Sequence, residues 1–136
     1  AIATRVEKNV QVVLGDSMGE MFSYYAACDF TFVGGSLLDF GGQNIIEPAS
    51  MGKPILIGQH TFNFAEASAN AIAIGAAIQV GDAADLRQQI SSLLQNPAQR
   101  SSMHKAALQF SQSATGATAR TMTLITQLGG SAPTTT

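Results

Sequence analysis

The sequence alternates short apolar runs with segments whose apolar residues recur at helical spacing. The apolar runs lie at 10–14 (VQVVL), 29–33 (DFTFV), 54–57 (PILI) and 76–80 (AAIQV), and each has the length of a buried strand. Strands that alternate with helices form βαβ units, in which the strands are parallel and the helices cover the sheet. The sequence therefore predicts an α/β fold, a Rossmann-like parallel sheet with helices on both faces.

Three helices are predicted between these strands. The first begins at Ser17, because apolar residues then recur at helical spacing as far as Tyr25. The second is short and spans about 44–51, and the third spans about 63–74. Each helix follows a turn that leaves a predicted strand, as βαβ connectivity requires.

Beyond residue 81 the pattern changes to a helical C-terminal segment. Asp82 is a suitable cap for one helix, a second is predicted to begin at 96–97, and a last one spans 121–128. The glycine- and threonine-rich end, 129–136, is predicted to be a disordered tail, so the domain covers 1–128. Four strands are few for a doubly wound domain, and we expect this domain to be an incomplete part of a larger one.

The charge composition excludes two classes of protein. Charged residues make up 12% of the chain, against about 25% in ordinary globular proteins. Together with a hydrophobic content of 46%, this excludes a solvated disordered chain. The seven Lys and Arg residues against nine Asp and Glu residues give a net charge of −2, which excludes nucleic-acid binding by charge. No Lys or Arg occurs between Lys8 and Lys53.

The sequence has no motif typical of a metal site, a reactive cysteine or a nucleoside-triphosphate site. The single cysteine, Cys28, lies in an apolar stretch and is interpreted as a structural thiol. Asp29 and Asp39 have no partner at metal-ligand spacing, and we expect no metal and no other cofactor. His104 stands on an amphipathic helix and is interpreted as a surface residue. The Walker and Gly-x-Gly-x-x-Gly motifs are missing.

Three glycine-rich turns follow predicted strands. They lie at 15–20, 34–44 and 58–64, and the second has four glycines among its residues. In parallel sheets the ligand site forms at the carboxyl ends of the strands, where such turns meet helix N-termini. Because all three turns are expected at the same edge of the sheet, the sequence predicts a ligand site there.

Each turn also has a purely structural interpretation. Ser17 with Glu20, and Asn44 with Glu47, have the spacing of a capping box. The glycine pair at 41–42 fits a tight turn as well as close backbone approach to a phosphate. Two observations favour a ligand. Pro48 disfavours helical geometry at Glu47, a conflict more often found at functional sites, and His60 lies on a strand-to-helix loop.

Four motifs in series resemble the C-terminal domain of bacterial 3-deoxy-D-manno-octulosonic acid (Kdo) transferases. They are GDSMGEM at 15–21, FVGGSL at 32–37, GGQNIIEPASMGKPILIG at 41–58 and HTFNFAE at 60–66. Together they cover about two-fifths of the chain, in the order and approximate spacing of the family.

The resemblance implies one half of a GT-B glycosyltransferase, which has two Rossmann-like domains with the active site between them. In this family the C-terminal domain binds the donor CMP-Kdo, and the enzyme transfers Kdo to a lipid A precursor with inversion and without a metal. The catalytic carboxylate base and most of the membrane association belong to the N-terminal domain. The resemblance thus implies an enzyme at the cytoplasmic face of the bacterial inner membrane, whereas the chain by itself is expected to be soluble and inactive.

The resemblance also implies roles for individual residues. The Met-Gly-Glu loop is expected near the nucleotide, Glu47 at the ribose hydroxyls, and backbone N–H groups from Gly41 to Asn44 near the anionic groups. The complete set of expected donor-binding residues is Ser17, Met18, Gly19, Glu20, Gly35, Ser36, Gly41, Gly42, Gln43, Asn44, Glu47, His60 and Asn63.

The sequence departs from the family pattern at two positions of the second turn. Gln43 replaces the usual His, so this side chain donates hydrogen bonds but carries no charge. Ile45 stands where Pro is frequent, and at Ser17 the usual Thr is replaced with its hydroxyl retained. Because Gln43 carries no charge, no acid or charge-stabilising role is expected for this side chain.

Two alternatives remain open at this point. One is another GT-B enzyme, such as a different nucleotide-sugar transferase or a sugar-nucleotide epimerase. The other is a Rossmann-like interaction module without enzymatic activity, whose glycine loops are only turns. The lack of basic residues between Lys8 and Lys53 matters for the expected donor, because CMP-Kdo carries a phosphate and a carboxylate. The positive charge that neutralises these groups would come from Lys53, from Arg5 or Lys8, or, as we expect, from the other half of the enzyme.

Overall fold

The computed structural model describes residues 6–129, apart from the side chains of 115–121 and 128–129. Three strands form a parallel sheet in the order β1 (Thr31–Phe32), β2 (Ile55–Ile57) and β3 (Ala77–Gln79). Each strand thus lies beside the next one along the chain, with a helical connection between them. The predicted α/β class and the parallel sheet are confirmed.

One face of the sheet packs against α2 (Ile46–Ser50), α3 (Ala65–Ala73) and the middle of α5 (Pro97–Gly129). Ile55 and Ile57 point to this face, because side chains alternate along a strand. The other buried members of this cluster are Val33, Ile45, Ala49, Ala71, Ala76, Ala77, Ala107 and Phe110.

The opposite face packs against α4 (Ala83–Gln95) and the first part of α5. Leu56 is completely buried here against Leu93 and Met103. As predicted, Asp82 caps α4, since its carboxylate accepts a hydrogen bond of 2.8 Å from the backbone N–H of Asp85. Helices therefore cover both faces of the sheet, as the alternating pattern indicates.

The N-terminal segment differs from the prediction. Residues 10–14 form neither strand nor helix, and Val12 and Leu14 are each 84% exposed. A strand needs a neighbour that completes its ladder of hydrogen bonds, and no described strand pairs with this segment. The prediction of a strand at 10–14 was wrong, and α1 (Met21–Ala27) begins four residues after the predicted start at Ser17.

Beyond α4 the structure has one helix where two were predicted. α5 runs without interruption from Pro97 to Gly129. No proline separates the two predicted helices, and a single glycine, Gly116, costs only about 1 kcal/mol inside a helix. Of the predicted tail, Gly129 ends α5, and 130–136 lie outside the described residues.

A buried hydroxyl joins the turns that follow β1 and β2. Ser36 Oγ donates to the carbonyl oxygen of Val33 at 2.5 Å and accepts from the N–H of Gly58 at 2.8 Å. The backbone N–H of His60 adds a bond of 2.9 Å to the carbonyl oxygen of Ser36. Because Ser36 is completely buried, the two turns form one compact unit.

His104 is exposed, as the sequence predicts, and its ring also anchors α5 to the turn after α2. Its Nδ1 lies 2.6 Å from the carbonyl oxygen of Gly52. Since a carbonyl only accepts hydrogen bonds, Nδ1 carries the proton in this contact. Gly52 is buried with a φ of +65°, and a Cβ there would overlap the imidazole ring.

We expect His104→Ala to lower the free energy of unfolding by about 1–3 kcal/mol, because it leaves the buried Gly52 carbonyl without this donor. Urea titration followed by circular dichroism measures the change. Lys105→Ala, at the exposed neighbouring position, is the control and should stay within about 0.5 kcal/mol of the unmodified chain. Equal stabilities of the two variants would contradict the anchoring role.

We expect Gly58→Ala to destabilise the chain by about 2 kcal/mol or more. A Cβ on Gly58 would overlap the carbonyl oxygen of Ser36, a backbone atom that cannot move aside alone. Gly34→Ala is the matched control, because no atom lies within 4 Å of the place that a Cβ would take there. The same urea titration reads both variants, and a Gly34→Ala loss as large as that of Gly58→Ala would refute the steric account.

Candidate functional site

The turns at 34–44 and 58–64 lie against each other at the carboxyl edge of the sheet. The N–H of Gly42 donates to the carbonyl oxygen of Gly35 at 3.0 Å, which closes the first turn on itself. Asn63 joins the two turns: its N–H donates to the carbonyl oxygen of Gly41 at 3.2 Å, and its side-chain Nδ2 donates to that of Phe40 at 3.1 Å. The structure thus brings two of the three glycine-rich turns together.

Gly41 and Gly42 make this close approach possible. Their φ angles are +83° and +74°, in the left-handed region that favours glycine. A Cβ on Gly41 would lie 2.5 Å from Nδ2 of Asn63. The tight-turn interpretation is therefore supported, and the N–H of Gly42, expected to face an anionic ligand, bonds within the turn instead.

Asn44 orients the carboxylate of Glu47 at the start of α2. Its Oδ1 accepts from the N–H of Ile46 at 2.9 Å, an Asx turn just before the helix, and its Nδ2 donates to Oε1 of Glu47 at 3.1 Å. The N-cap position is Ile45 and has no side-chain cap, so the capping box predicted for Asn44 and Glu47 is not formed. Glu47 is half-buried, and Pro48 behind it is fully buried. A carboxylate has about four acceptor positions, so the bond from Asn44 fixes the group and leaves capacity for ligand hydroxyls.

Helix α1 lies beside Glu47. Burial raises the pKa of the Tyr25 hydroxyl, and the negative charge of Glu47 raises it further, with a smaller contribution from Cys28. A direct effect of one charge on another group requires that the two lie near each other. This agrees with the packing of α1 against α2, the helix that carries Glu47.

The first turn, 15–20, is exposed and leads directly into α1. Ser17 Oγ donates to Oε2 of Glu20 at 2.5 Å and lies 2.9 Å from the Tyr24 hydroxyl. Glu20 itself precedes α1 and no side chain caps that helix, so the predicted capping box is not formed. Met18 is 97% exposed, and Gly19 has a φ of +82°.

All three turns were predicted at the same edge of the sheet, and two of them, 34–44 and 58–64, are joined there. Within residues 6–129, no hydrogen bond joins the 15–20 turn to the 34–44 or 58–64 turn. The reason is the absence of a strand at 10–14, which would have delivered this turn to the edge.

His60 faces Asp39 across the two joined turns. Its Nδ1 lies 3.5 Å from Oδ1 of Asp39, and the side chains are 43% and 83% exposed. The sequence pattern offered Asp39 no partner, because the two residues are distant in the chain and only the packed turns bring them together. Gln43, between the glycine pair and Asn44, is exposed to solvent.

Cys28 has the environment of a structural thiol. Its Sγ donates to the carbonyl oxygen of Tyr25 at 3.4 Å. Burial raises the pKa of this thiol, and the nearby Lys53 only partly opposes the effect. A thiol with a raised pKa is a poor nucleophile at neutral pH, which agrees with the interpretation from sequence.

A groove of about 460 Å³ begins at Asn63 and runs between α3 and α5. Glu66 gives it a carboxylate, and Asn70 and Ser113 add neutral polar groups. Glu66 was not among the residues expected from sequence, although it closes the HTFNFAE motif, which was the available signal.

The described part of the chain offers neither a metal cluster nor a membrane-spanning helix. Between residues 6 and 129, no group of three or more His, Cys, Asp and Glu side chains is arranged to hold a metal ion. No helix in that range is both long enough and apolar enough to cross a membrane.

Comparison with known proteins supports the resemblance stated above. The chain is 46% identical over 114 residues to the 3-deoxy-D-manno-octulosonic acid transferase of Bordetella pertussis, covering 84% of this chain and 27% of that protein. It is 36% identical over 119 residues to the protein of the same name from Haemophilus influenzae, covering 87% and 28%. The chain thus spans little more than a quarter of the length of these relatives.

A solved structure with the same fold is the C-terminal CMP-Kdo binding domain of WaaA from Acinetobacter baumannii. The TM-score is 0.67 at 32% identity, and the match covers 71% of this chain and 50% of that domain. The match confirms the resemblance to Kdo transferases and the expected C-terminal GT-B domain. The family described as "Glycosyl transferases group 1" matches residues 1–110, most of the chain. The chain therefore belongs to the group 1 glycosyl transferases.

Proposed function

We propose that this chain is the donor-binding part of a Kdo transferase and that its ligand is CMP-Kdo. The observation that carries the proposal is the carboxylate of Glu47, held by Asn44 beside the paired turns at 34–44 and 58–64. The relatives named as Kdo transferases and the neighbouring CMP-Kdo binding domain support it.

In this proposal Glu47 accepts hydrogen bonds from the ribose hydroxyls of the donor. Two vicinal hydroxyls suit one carboxylate, and a carboxylate that is oriented before binding loses less entropy when the ligand arrives. Asn44 supplies that orientation. The exposed Met18-Gly19-Glu20 loop then contacts the nucleotide from the side of α1, and His60 with Asn63 from the second turn.

The remaining expected residues divide into two groups. Ser17, Gly35, Ser36, Gly41 and Gly42 shape the turns, since the hydroxyls of Ser17 and Ser36 and the Gly42 N–H bond within the protein. Gln43 is exposed beside the glycine pair and is free to donate a neutral hydrogen bond to the donor.

The whole protein is proposed to transfer Kdo from CMP-Kdo to a lipid A precursor in lipopolysaccharide biosynthesis. It would do so with inversion, without a metal, and at the cytoplasmic face of the bacterial inner membrane. The general base, the acceptor surface and the membrane association would lie outside this chain, as the resemblance implies. We therefore propose that the chain alone binds the donor but does not transfer it.

Replacement of Glu47 by Gln tests the ribose contact. Loss of a charged acceptor costs about 1.5–3 kcal/mol, so we expect Glu47→Gln to weaken CMP binding about tenfold or more. Calorimetry on the intact protein measures both CMP and 2′-deoxy-CMP. The unmodified protein should prefer CMP, and Glu47→Gln should lose most of that preference.

Glu7→Gln, at an exposed position of the N-terminal segment, is the control and should bind CMP like the unmodified protein. Equal losses for CMP and 2′-deoxy-CMP in Glu47→Gln would contradict the ribose contact. Tighter binding of UMP or UDP than of CMP by the unmodified protein would instead point to another nucleotide-sugar transferase.

A further inference from the structure

Lys53 is the first basic residue after Lys8 in the sequence, and its ammonium group faces the end of α1. Its Nζ donates to the carbonyl oxygen of Cys28 at 2.7 Å and to that of Ala26 at 3.4 Å. These carbonyls lie at the C-terminal end of α1, where the helix dipole concentrates partial negative charge. The contact is therefore a charge-assisted cap supplied by a distant residue.

Helix α1 has no basic residue in its own last turn, so Lys53 supplies the positive charge at this helix end. Its end is otherwise closed by the N–H of Cys28, which bonds to the carbonyl oxygens of Tyr24 at 3.2 Å and Tyr25 at 3.4 Å. A helix of seven residues is too short to be stable by itself and takes its position from its neighbours.

The backbone of Lys53 is attached to the other side of the site. Its N–H donates to the carbonyl oxygen of Pro48 at 3.0 Å, at the end of the turn of helix that carries Glu47. The preceding residue, Gly52, is held by His104 of α5. Lys53 is thus hydrogen-bonded to α2 through its main chain and to the end of α1 through its side chain.

We propose that Lys53 is a positioning residue of the donor site. It sets the place of α1, and thereby of the Met18-Gly19-Glu20 loop, relative to Glu47. The inference rests on the proposed function, since these two elements are the parts assigned to the nucleotide. The 15–20 turn shares no hydrogen bond with the other turns among residues 6–129, so α1 and its cap are its route to them.

This role removes Lys53 from the candidates that would neutralise the phosphate of the donor. Two of its three ammonium hydrogens point at main-chain carbonyls. A group that turned to a phosphate would release the end of α1 and leave those carbonyls without their donor. In this proposal the positive charge for the donor comes from elsewhere in the enzyme.

The test compares a charged ligand with an uncharged one on the intact protein. Lys53→Met keeps the length of the side chain and removes the charge. If Lys53 positions α1, both CMP and cytidine should bind about tenfold more weakly, with the ratio of the two affinities unchanged. If Lys53 contacts the phosphate, CMP binding should weaken and cytidine binding should not, which would overturn the proposal.

Two further variants complete the comparison. Lys53→Arg also donates to carbonyl oxygens and should keep both affinities within about threefold of the unmodified protein. Lys105→Met removes a charge from the exposed side of α5 and should change neither affinity. A Lys53→Arg variant that binds both ligands as poorly as Lys53→Met would overturn the proposal, because the carbonyl contacts would not explain the loss.

Amide hydrogen exchange tests the contact between Lys53 and α1 without any ligand. Lys53→Met should accelerate exchange over Met21–Cys28 and leave α4 unchanged, and equal protection of α1 in both proteins would overturn the positioning role. This readout separates the two proposals. If the unmodified protein binds neither CMP nor cytidine, the proposed function fails, while the exchange data still decide whether Lys53 holds α1.

Discussion

The structure depends on the burial of one short strand from both sides. Ile55 and Ile57 of β2 face one apolar cluster, Leu56 faces the other, and all three are at most 1% exposed. Burial on both faces is characteristic of parallel sheets, and it requires helices above and below the strand. Because β2 is fixed this way, the turn that leaves it at Gly58 begins from a rigid point, and the neighbouring turn is attached to it.

The candidate site is held together mainly by neutral groups. The hydroxyl of Ser36 and the amides of Asn44 and Asn63 make the contacts that define the turns and orient Glu47. The contact between His60 and Asp39, which lies near them, is exposed and contributes little stability. The low content of charged residues therefore agrees with a site whose shape comes from backbone geometry, leaving the Glu47 carboxylate available for recognition.

The sequence pattern predicted correctly those elements whose signals lie within a few neighbouring residues. The runs at 29–33, 54–57 and 76–80 became β1, β2 and β3, and Asp82 caps α4, because both signals are read within a few residues. The run at 10–14 has the same composition and formed no strand, since pairing depends on a partner that local sequence does not reveal. The contacts of Ser36 with Gly58 and of Lys53 with α1 were likewise invisible, because they join residues more than twenty positions apart.

The exposed segment at 10–14 has a consequence for how this chain behaves in concentrated solution. Three of its five residues are valines and none is charged, and Val12 and Leu14 are each 84% exposed. Segments of this composition are prone to intermolecular β-pairing, and charged residues at their flanks oppose it. Lys8 and Asp16 occupy those flanking positions. Self-association of the isolated chain should therefore start at this segment, and the charges of Lys8 and Asp16 oppose it.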